Sequence, residues 1–102
     1  MRSYKIIVSD EAIHNLDDIV AYISSIYRLE AGVKYKDRVL ASIKCLSYSA
    51  DCFPISKSRV LKRIHPNARR LIIMNKKGNV VFHISGKFVV IDRLIPSKNI
   101  KS

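Results

Sequence analysis

The residues best suited to chemistry lie in the second half of this 102-residue chain, and most of them are cations. Guanidinium and ammonium groups bind phosphates and carboxylates, and an imidazole can take up or release a proton near neutral pH. Together these groups suit either an acidic binding partner or a reaction at a phosphate group. The candidates are His83 and the basic residues Lys57, Arg59, Lys62, Arg63, Arg69, Arg70, Arg93 and Lys98.

The positive charge is concentrated in the second half of the sequence. The net charge is +11 at pH 7. Residues 1–51 contain seven basic and seven acidic residues, whereas residues 52–102 contain twelve basic residues and one acid, Asp92. This asymmetry indicates an acidic partner, either nucleic acid or an acidic protein segment. A solvated basic face that only keeps the protein soluble is the alternative interpretation.

Arg69 and Arg70 are the strongest candidates for binding. Adjacent residues of a strand face opposite ways, so one of the two should point away from the helices and the other toward them or toward a sheet edge. The alternative for one of them is an internal ion pair with Asp17 or Asp37. Arg93 follows an aspartate and could form an ordinary surface pair with it.

His83 can be interpreted in two ways. A partly buried structural histidine, bonded to a neighbouring strand, is the interpretation we favour, because one histidine without an identified partner is weak support for catalysis. A role as a general acid or base is the alternative. His14 and His65 are expected at the surface, away from any metal-like partner.

The remaining chemical groups have less specific patterns. An acid-free basic cluster, residues 57–63, lies between two prolines and could contact a nucleic-acid backbone or a protein partner. Cys45 and Cys52 fit no zinc or redox spacing, and we expect two buried thiols. Four tyrosines are spaced as helix residues and should pack rather than stack on bases: Tyr22, Tyr27, Tyr35 and Tyr48.

The first half of the chain has the pattern of a strand followed by two amphipathic helices. Residues 4–8 are a β-branched run typical of a strand. Ser9 can cap a helix over residues 10–28, where apolar residues recur at spacings of three and four. A second helix is expected over residues 30–48, and the short connection predicts an antiparallel helical hairpin. Pro54 prevents the second helix from continuing.

The second half changes to the period of two that is typical of strands. We expect strands over residues 69–75, 79–84 and 87–95, joined by hairpin turns. Residues 58–64 are either a strand or a basic loop. The predicted fold class is α+β: an N-terminal strand and an antiparallel two-helix hairpin packed on a mostly antiparallel C-terminal β-meander, in one domain over residues 1–102. The other face of the sheet should meet solvent or a partner, at least in part.

Four stretches, in this order and spacing, resemble the RelE/ParE superfamily of toxins from type II toxin–antitoxin pairs. "YKIIVSDEAIHNLDDIVAYI" is similar to the opening strand and first helix of that family, and "KYKDRVLASIKCLSYSADCFP" to its second helix. "RRLIIMNKKGNVVFHI" resembles its Arg-x-Leu strand and the strand that follows, and "VVIDRLIPSKNI" resembles its final strand and basic tail. The resemblance spans nearly the whole chain.

The resemblance implies a small basic toxin that inhibits growth and is held inactive by a cognate acidic antitoxin. The RelE-like branch cleaves messenger RNA in the ribosome, whereas the ParE-like branch poisons DNA gyrase. The long helical hairpin is more similar to the ParE-like branch, so DNA gyrase is the expected target. We expect a cytoplasmic protein without a cofactor, a metal or a membrane span.

Two alternatives remain for this family. One is a RelE-like, ribosome-dependent endoribonuclease, although Val80 stands where such enzymes usually carry an arginine. Residues 96–99 also lack the His-Gly-Arg-Arg pattern common at that point. The other is a degenerate toxin that only binds its antitoxin. Catalytic residues in the nuclease interpretation would be Arg69, Arg70, His83 and Lys98.

Overall fold

A computed structural model of the chain describes residues 3–73 and 78–96. The helices and strands occur in the order that the sequence predicts, with one additional short helix. In chain order they are β1 (Lys5–Val8), α1 (Asp10–Ile26), α2 (Leu29–Ser49), a 3-10 turn (Ala50–Cys52), α3 (Arg59–Ile64), β2 (Arg69–Ile73), β3 (Gly78–Ser85) and β4 (Phe88–Pro96).

The start of α1 is fixed by the side chain of Ser9. Its hydroxyl oxygen accepts a hydrogen bond from the backbone N–H of Ala12 at 3.1 Å, which satisfies one of the free donors at the helix terminus. The same hydroxyl donates to the carbonyl oxygen of Asp92 on β4 at 2.8 Å. Asp10 and Glu11 occupy the first turn, where the helix dipole favours acids. One residue therefore both caps α1 and ties it to the sheet.

The two long helices pack very closely at Gly32. A β-carbon at this position would lie 2.2 Å from the Ser24 hydroxyl oxygen and 3.0 Å from the Val20 carbonyl oxygen. A larger residue here would force the Ser24 side chain to rotate and would press against the Val20 backbone carbonyl, so glycine suits this close approach best. The Ser24 hydroxyl is itself buried without a hydrogen-bond partner among the described residues. The expected helical hairpin is therefore present and tightly closed.

The sheet has the strand order β1-β4-β3-β2. β1 runs parallel to β4, whereas the β2–β3 and β3–β4 pairs are antiparallel, so the expected mostly antiparallel sheet is confirmed. One face packs against the hairpin and forms the main core, which includes Leu16, Val39, Leu46, Phe82 and Ile91.

The order of the sheet is interrupted by a bulge in β4. Val81 pairs with Arg93, but the next residue of β3, Phe82, pairs with Ile91, which leaves Asp92 as the extra residue. The outer edge of β4 extends beyond the end of β1. There Asn15 on α1 accepts a hydrogen bond from the backbone N–H of Leu94 at 3.1 Å. A side chain of α1 thus takes the place of a missing strand partner at this position.

The structure corrects the prediction for residues 58–64. This segment is neither a strand nor a loop, because residues 59–64 form α3. Leu61 and Ile64, one turn apart, pack with Ala68 against Val81 and Ile95 in a second, smaller core. The sheet face away from the hairpin is therefore partly covered by the protein itself.

Two smaller expectations are also wrong. Cys45 and Cys52 are exposed free thiols rather than buried ones. Tyr35 is partly buried, as expected, and burial raises the pKa of its phenol. Three other tyrosines are exposed instead of packed: Tyr22, Tyr27 and Tyr48.

No helix in the described part of the chain combines the length and apolarity that crossing a bilayer requires.

Replacing Gly32 with alanine tests the close contact of the hairpin. Gly32→Ala should lower the free energy of unfolding by about 1–3 kcal/mol through overpacking, although alanine is normally the better helix former. Ser24→Ala removes the nearest obstructing atom and an unpaired buried hydroxyl, so it should be neutral or stabilising alone and should partly rescue Gly32→Ala. Urea unfolding measures all three variants. A stabilised Gly32→Ala protein would contradict this packing.

Candidate functional site: the α3 face of the sheet

The candidate site lies on the sheet face that carries α3, here called the α3 face. Val81 packs against α3, and strand alternation places His83 on the same side of β3. Arg70 pairs with Val81 across the β2–β3 ladder, so it shares this face as well. Residues of three elements that are separate in the sequence therefore meet here.

His83 has a charged partner on the neighbouring strand. Its Nδ1 atom lies 2.7 Å from Oδ2 of Asp92, and the two side chains are only 15% and 16% exposed. The β4 bulge supplies this contact, because the extra residue presents its carboxylate to β3. The favoured interpretation, a partly buried histidine bonded to a neighbouring strand, matches this geometry.

A second histidine stacks on the first. The rings of His65 and His83 are 4° from parallel, and their centroids are 3.7 Å apart. His65 accepts a hydrogen bond at Nδ1 from the backbone N–H of Asn67 at 3.0 Å. His65 was expected to be an isolated surface residue, but it is partly buried, because the chain after α3 folds back onto the sheet and brings its ring against His83. We call His65, His83 and Asp92 the histidine cluster.

The histidine cluster can hold a proton acceptor in a defined orientation. With Nδ1–H donated to Asp92, a neutral His83 keeps Nε2 as its acceptor. Displacement at phosphorus requires the base and the acid on opposite sides of the phosphate. The two imidazole rings are stacked face to face and would therefore lie on the same side of a bound phosphate. The histidine cluster thus supplies one of these groups and not both.

Within residues 3–73 and 78–96, no group of three His, Cys, Asp or Glu side chains is arranged to hold a metal ion.

The basic residues around α3 form an exposed cluster. Arg59, Lys62 and Arg63 recur at spacings of three and four, which places them together on one side of the helix. Leu61 is fully buried on the opposite side. Lys57 is exposed just before the helix. We call these four basic residues the α3 cations.

The neighbouring arginines of β2 have different environments. Arg69 donates hydrogen bonds from its guanidinium to the carbonyl oxygens of Phe53 and Asp51, and it thereby fixes the chain after α2 to the sheet. Arg70 instead lines a groove with Lys57 and Ile55. The expected opposite orientation of the two side chains is therefore observed, with backbone carbonyls as the partners of Arg69.

Arg93 pairs with a residue of the helical hairpin rather than with one on the α3 face. The guanidinium of Arg93 lies 3.2 Å from the carboxylate of Glu11 on α1, and both side chains are exposed. Such a pair adds little stability. The acid that precedes Arg93 in the sequence is bound to His83 instead. Lys98 lies outside the described residues.

The outer edge of β2 was not identified from the sequence. β2 is the last strand of the sheet, and no other described strand pairs with this edge. One apolar groove separates β2 from α2 and includes Leu46 and Ile73. A second groove, between β2 and the segment before α3, includes Phe53 and Ile72. The sequence signal for this surface was the run "RLII", whose apolar residues fall on both faces of the strand.

Comparison with solved structures identifies the fold. A chain of the "Chromosomal ParDE TA system from P. aeruginosa" has a TM-score of 0.78, with 92% of this chain and 96% of that chain covered. The two sequences are 20% identical, so this likeness concerns the fold alone. The ParE-like α+β fold implied by the sequence resemblance is confirmed. No protein-family model and no curated protein matches the sequence.

The two arginines provide a matched test of their different environments. Arg69→Ala should lower the free energy of unfolding by about 1–3 kcal/mol, because it leaves carbonyl oxygens without their charged donor. Arg70→Ala should change it by less than about 0.5 kcal/mol, as a side chain that lines an open groove. Both values come from urea unfolding. Equal losses would show that Arg69 has no special structural role.

Proposed function

We propose that this protein is the toxin of a type II toxin–antitoxin pair and that it acts by docking on DNA gyrase. The observation that carries the proposal is the fold, which matches a chain of a ParDE system over nearly the full length of both chains. The concentration of positive charge in residues 52–102 supports docking on an acidic surface.

The α3 cations are the proposed contact with the target. Their side chains point away from the small core under α3, so binding requires no rearrangement of the fold. Guanidinium groups form bidentate contacts with carboxylates and phosphates, and an acid-free cluster attracts such groups over several ångströms. Arg70 extends the same surface onto β2. Lys98 and Arg93 are further contacts in this proposal.

The antitoxin would neutralise the toxin along the open edge of β2. An extended segment can pair with the backbone of this strand while its apolar side chains enter the grooves on either side. Acidic residues of the same segment would meet Arg70 and Lys57, which line one groove. Charge attraction would speed the encounter, and the apolar contacts would supply most of the affinity.

A second candidate function, cleavage of ribosome-bound messenger RNA, is favoured by one specific observation. His83 is held by Asp92 in the way that positions a general base, and the nucleophile can be the substrate's own 2′-hydroxyl. In that mechanism His83 would take the 2′-hydroxyl proton while Arg70 and Lys98 stabilise the phosphate. Arg69 would act only by fixing β2, because its guanidinium already binds backbone carbonyls. Because the two histidine rings are stacked in parallel, His65 cannot serve as the acid that protonates the leaving group, and no other residue is assigned to that role.

Induction of the protein in bacteria separates the two candidates. We expect filamentous cells with broken DNA and intact transcripts, because a docked toxin traps gyrase on its substrate. Pulsed-field electrophoresis measures the breaks, and primer extension on abundant messages measures cleavage. Discrete cuts in messages without DNA breaks would establish the nuclease instead. Normal growth at high expression would indicate a chain that retains antitoxin binding alone.

Two variants assign the activity to residues of the α3 face. His83→Ala should leave toxicity largely intact, because docking requires no proton transfer. Arg59→Glu/Arg63→Glu should reduce toxicity by about tenfold or more, since two exposed cations become anions at the contact. Circular dichroism and unfolding temperature confirm that both variants fold. Toxicity lost in His83→Ala, but kept after charge reversal, would contradict docking through the α3 cations.

A further inference from the structure

The loop end of the helical hairpin carries an apolar surface that the fold does not use. We call residues 22–34 the hairpin tip. Five large apolar side chains are exposed there, and two of them flank the connection between the helices, where Tyr27 is 73% and Leu29 72% exposed. The other three are Tyr22, Ile26 and Val33.

The hairpin tip extends beyond the support of the sheet. In α1 the buried residues are Ala12 and Leu16, both in its first half. In α2 the buried side chains begin at Val39, and within the tip only the close-packed Gly32 is buried. The exposed apolar side chains therefore do not contribute to the main core. A protruding helix end in a monomer would be expected to carry polar residues.

The tip is a firm and nearly neutral surface. The close contact of Gly32 with Ser24 and Val20 holds the two helices together at this level. The charged residues of the tip are Arg28, Glu30 and Lys34, in contrast to the strongly basic second half of the chain. These three line a surface depression together with Ile26, Tyr27 and Ala31.

We propose that the hairpin tip is the interface of a homodimer, in which a second copy of this chain packs its own tip against it. A two-fold axis allows an exposed apolar side chain of each copy to enter the depression of the other. It also allows Glu30 of each copy to face Arg28 or Lys34 of the other, whereas the like-charged second halves remain far apart. A partner contacted through the basic half would instead have to be acidic.

The available area is consistent with a reversible dimer. The five side chains expose on the order of 500 Å² of largely apolar surface, which approaches the roughly 800 Å² per partner of a standard interface. Flanking contacts from α1 and α2 can supply the remainder. An exposed apolar patch of this size on a small protein commonly marks an interaction site.

The experiment is sedimentation equilibrium of the purified full-length chain over a wide range of protein concentration. We expect a monomer–dimer equilibrium. Leu29→Glu should weaken it by about tenfold or more, because each copy would bury a carboxylate without a partner. The variant should still fold, since an acid in the first turn of α2 is favoured by the helix dipole. Circular dichroism verifies that it folds.

Leu40→Glu is the matched control. Leu40 is exposed on the same helix, three turns and about 16 Å beyond Leu29 on the same side, and it lies outside the tip. This variant should change the dimerisation constant by less than about twofold. The proposal is overturned if the parent chain is monomeric throughout, if the dimer persists in Leu29→Glu, or if both variants weaken it equally. Loss of toxicity in Leu29→Glu from a monomeric parent would assign the tip to the toxin's target instead.

Discussion

The fold depends on the interior strand β3, whose alternate side chains enter two separate cores. Phe82 is fully buried between the sheet and the helical hairpin, and Val81, next to it, is fully buried under α3. A sheet that is buried on one face needs buried apolar side chains on that face only. The second set anchors α3, and α3 in turn presents its cations outward. The basic surface is thus held by apolar packing on a face that could otherwise have remained open to water.

The bulge at Asp92 connects this packing to the polar groups of the site. The extra residue turns its carboxylate toward His83, and its carbonyl oxygen accepts the hydrogen bond of Ser9 at the start of α1. The sole acid of the second half is therefore occupied within the fold. Its carboxylate lies beside a partly buried histidine. Within residues 3–73 and 78–96 the other ion pair joins Arg93 to Glu11, and none involves the α3 cations.

The sequence was sufficient for the elements that repeat a pattern over many residues. The long helices, the cap at Ser9 and the three C-terminal strands follow from periodicity and local chemistry. α3 escaped detection because six residues hold only two turns of pattern, in a stretch where basic residues dominate. The histidine stack then could not be foreseen, since His65 reaches His83 only when α3 folds back. The role of Arg69 was hidden for a similar reason: its acceptors are backbone carbonyls, which sequence patterns do not reveal.

We propose that the α3 face is a preformed cationic surface that binds an acidic partner without chemistry of its own. The most direct test is equilibrium binding of the purified chain to purified DNA gyrase at increasing ionic strength. Binding should weaken steeply as salt rises, because the contact is made by exposed charges. An absence of binding, or an affinity that does not respond to salt, would contradict the claim.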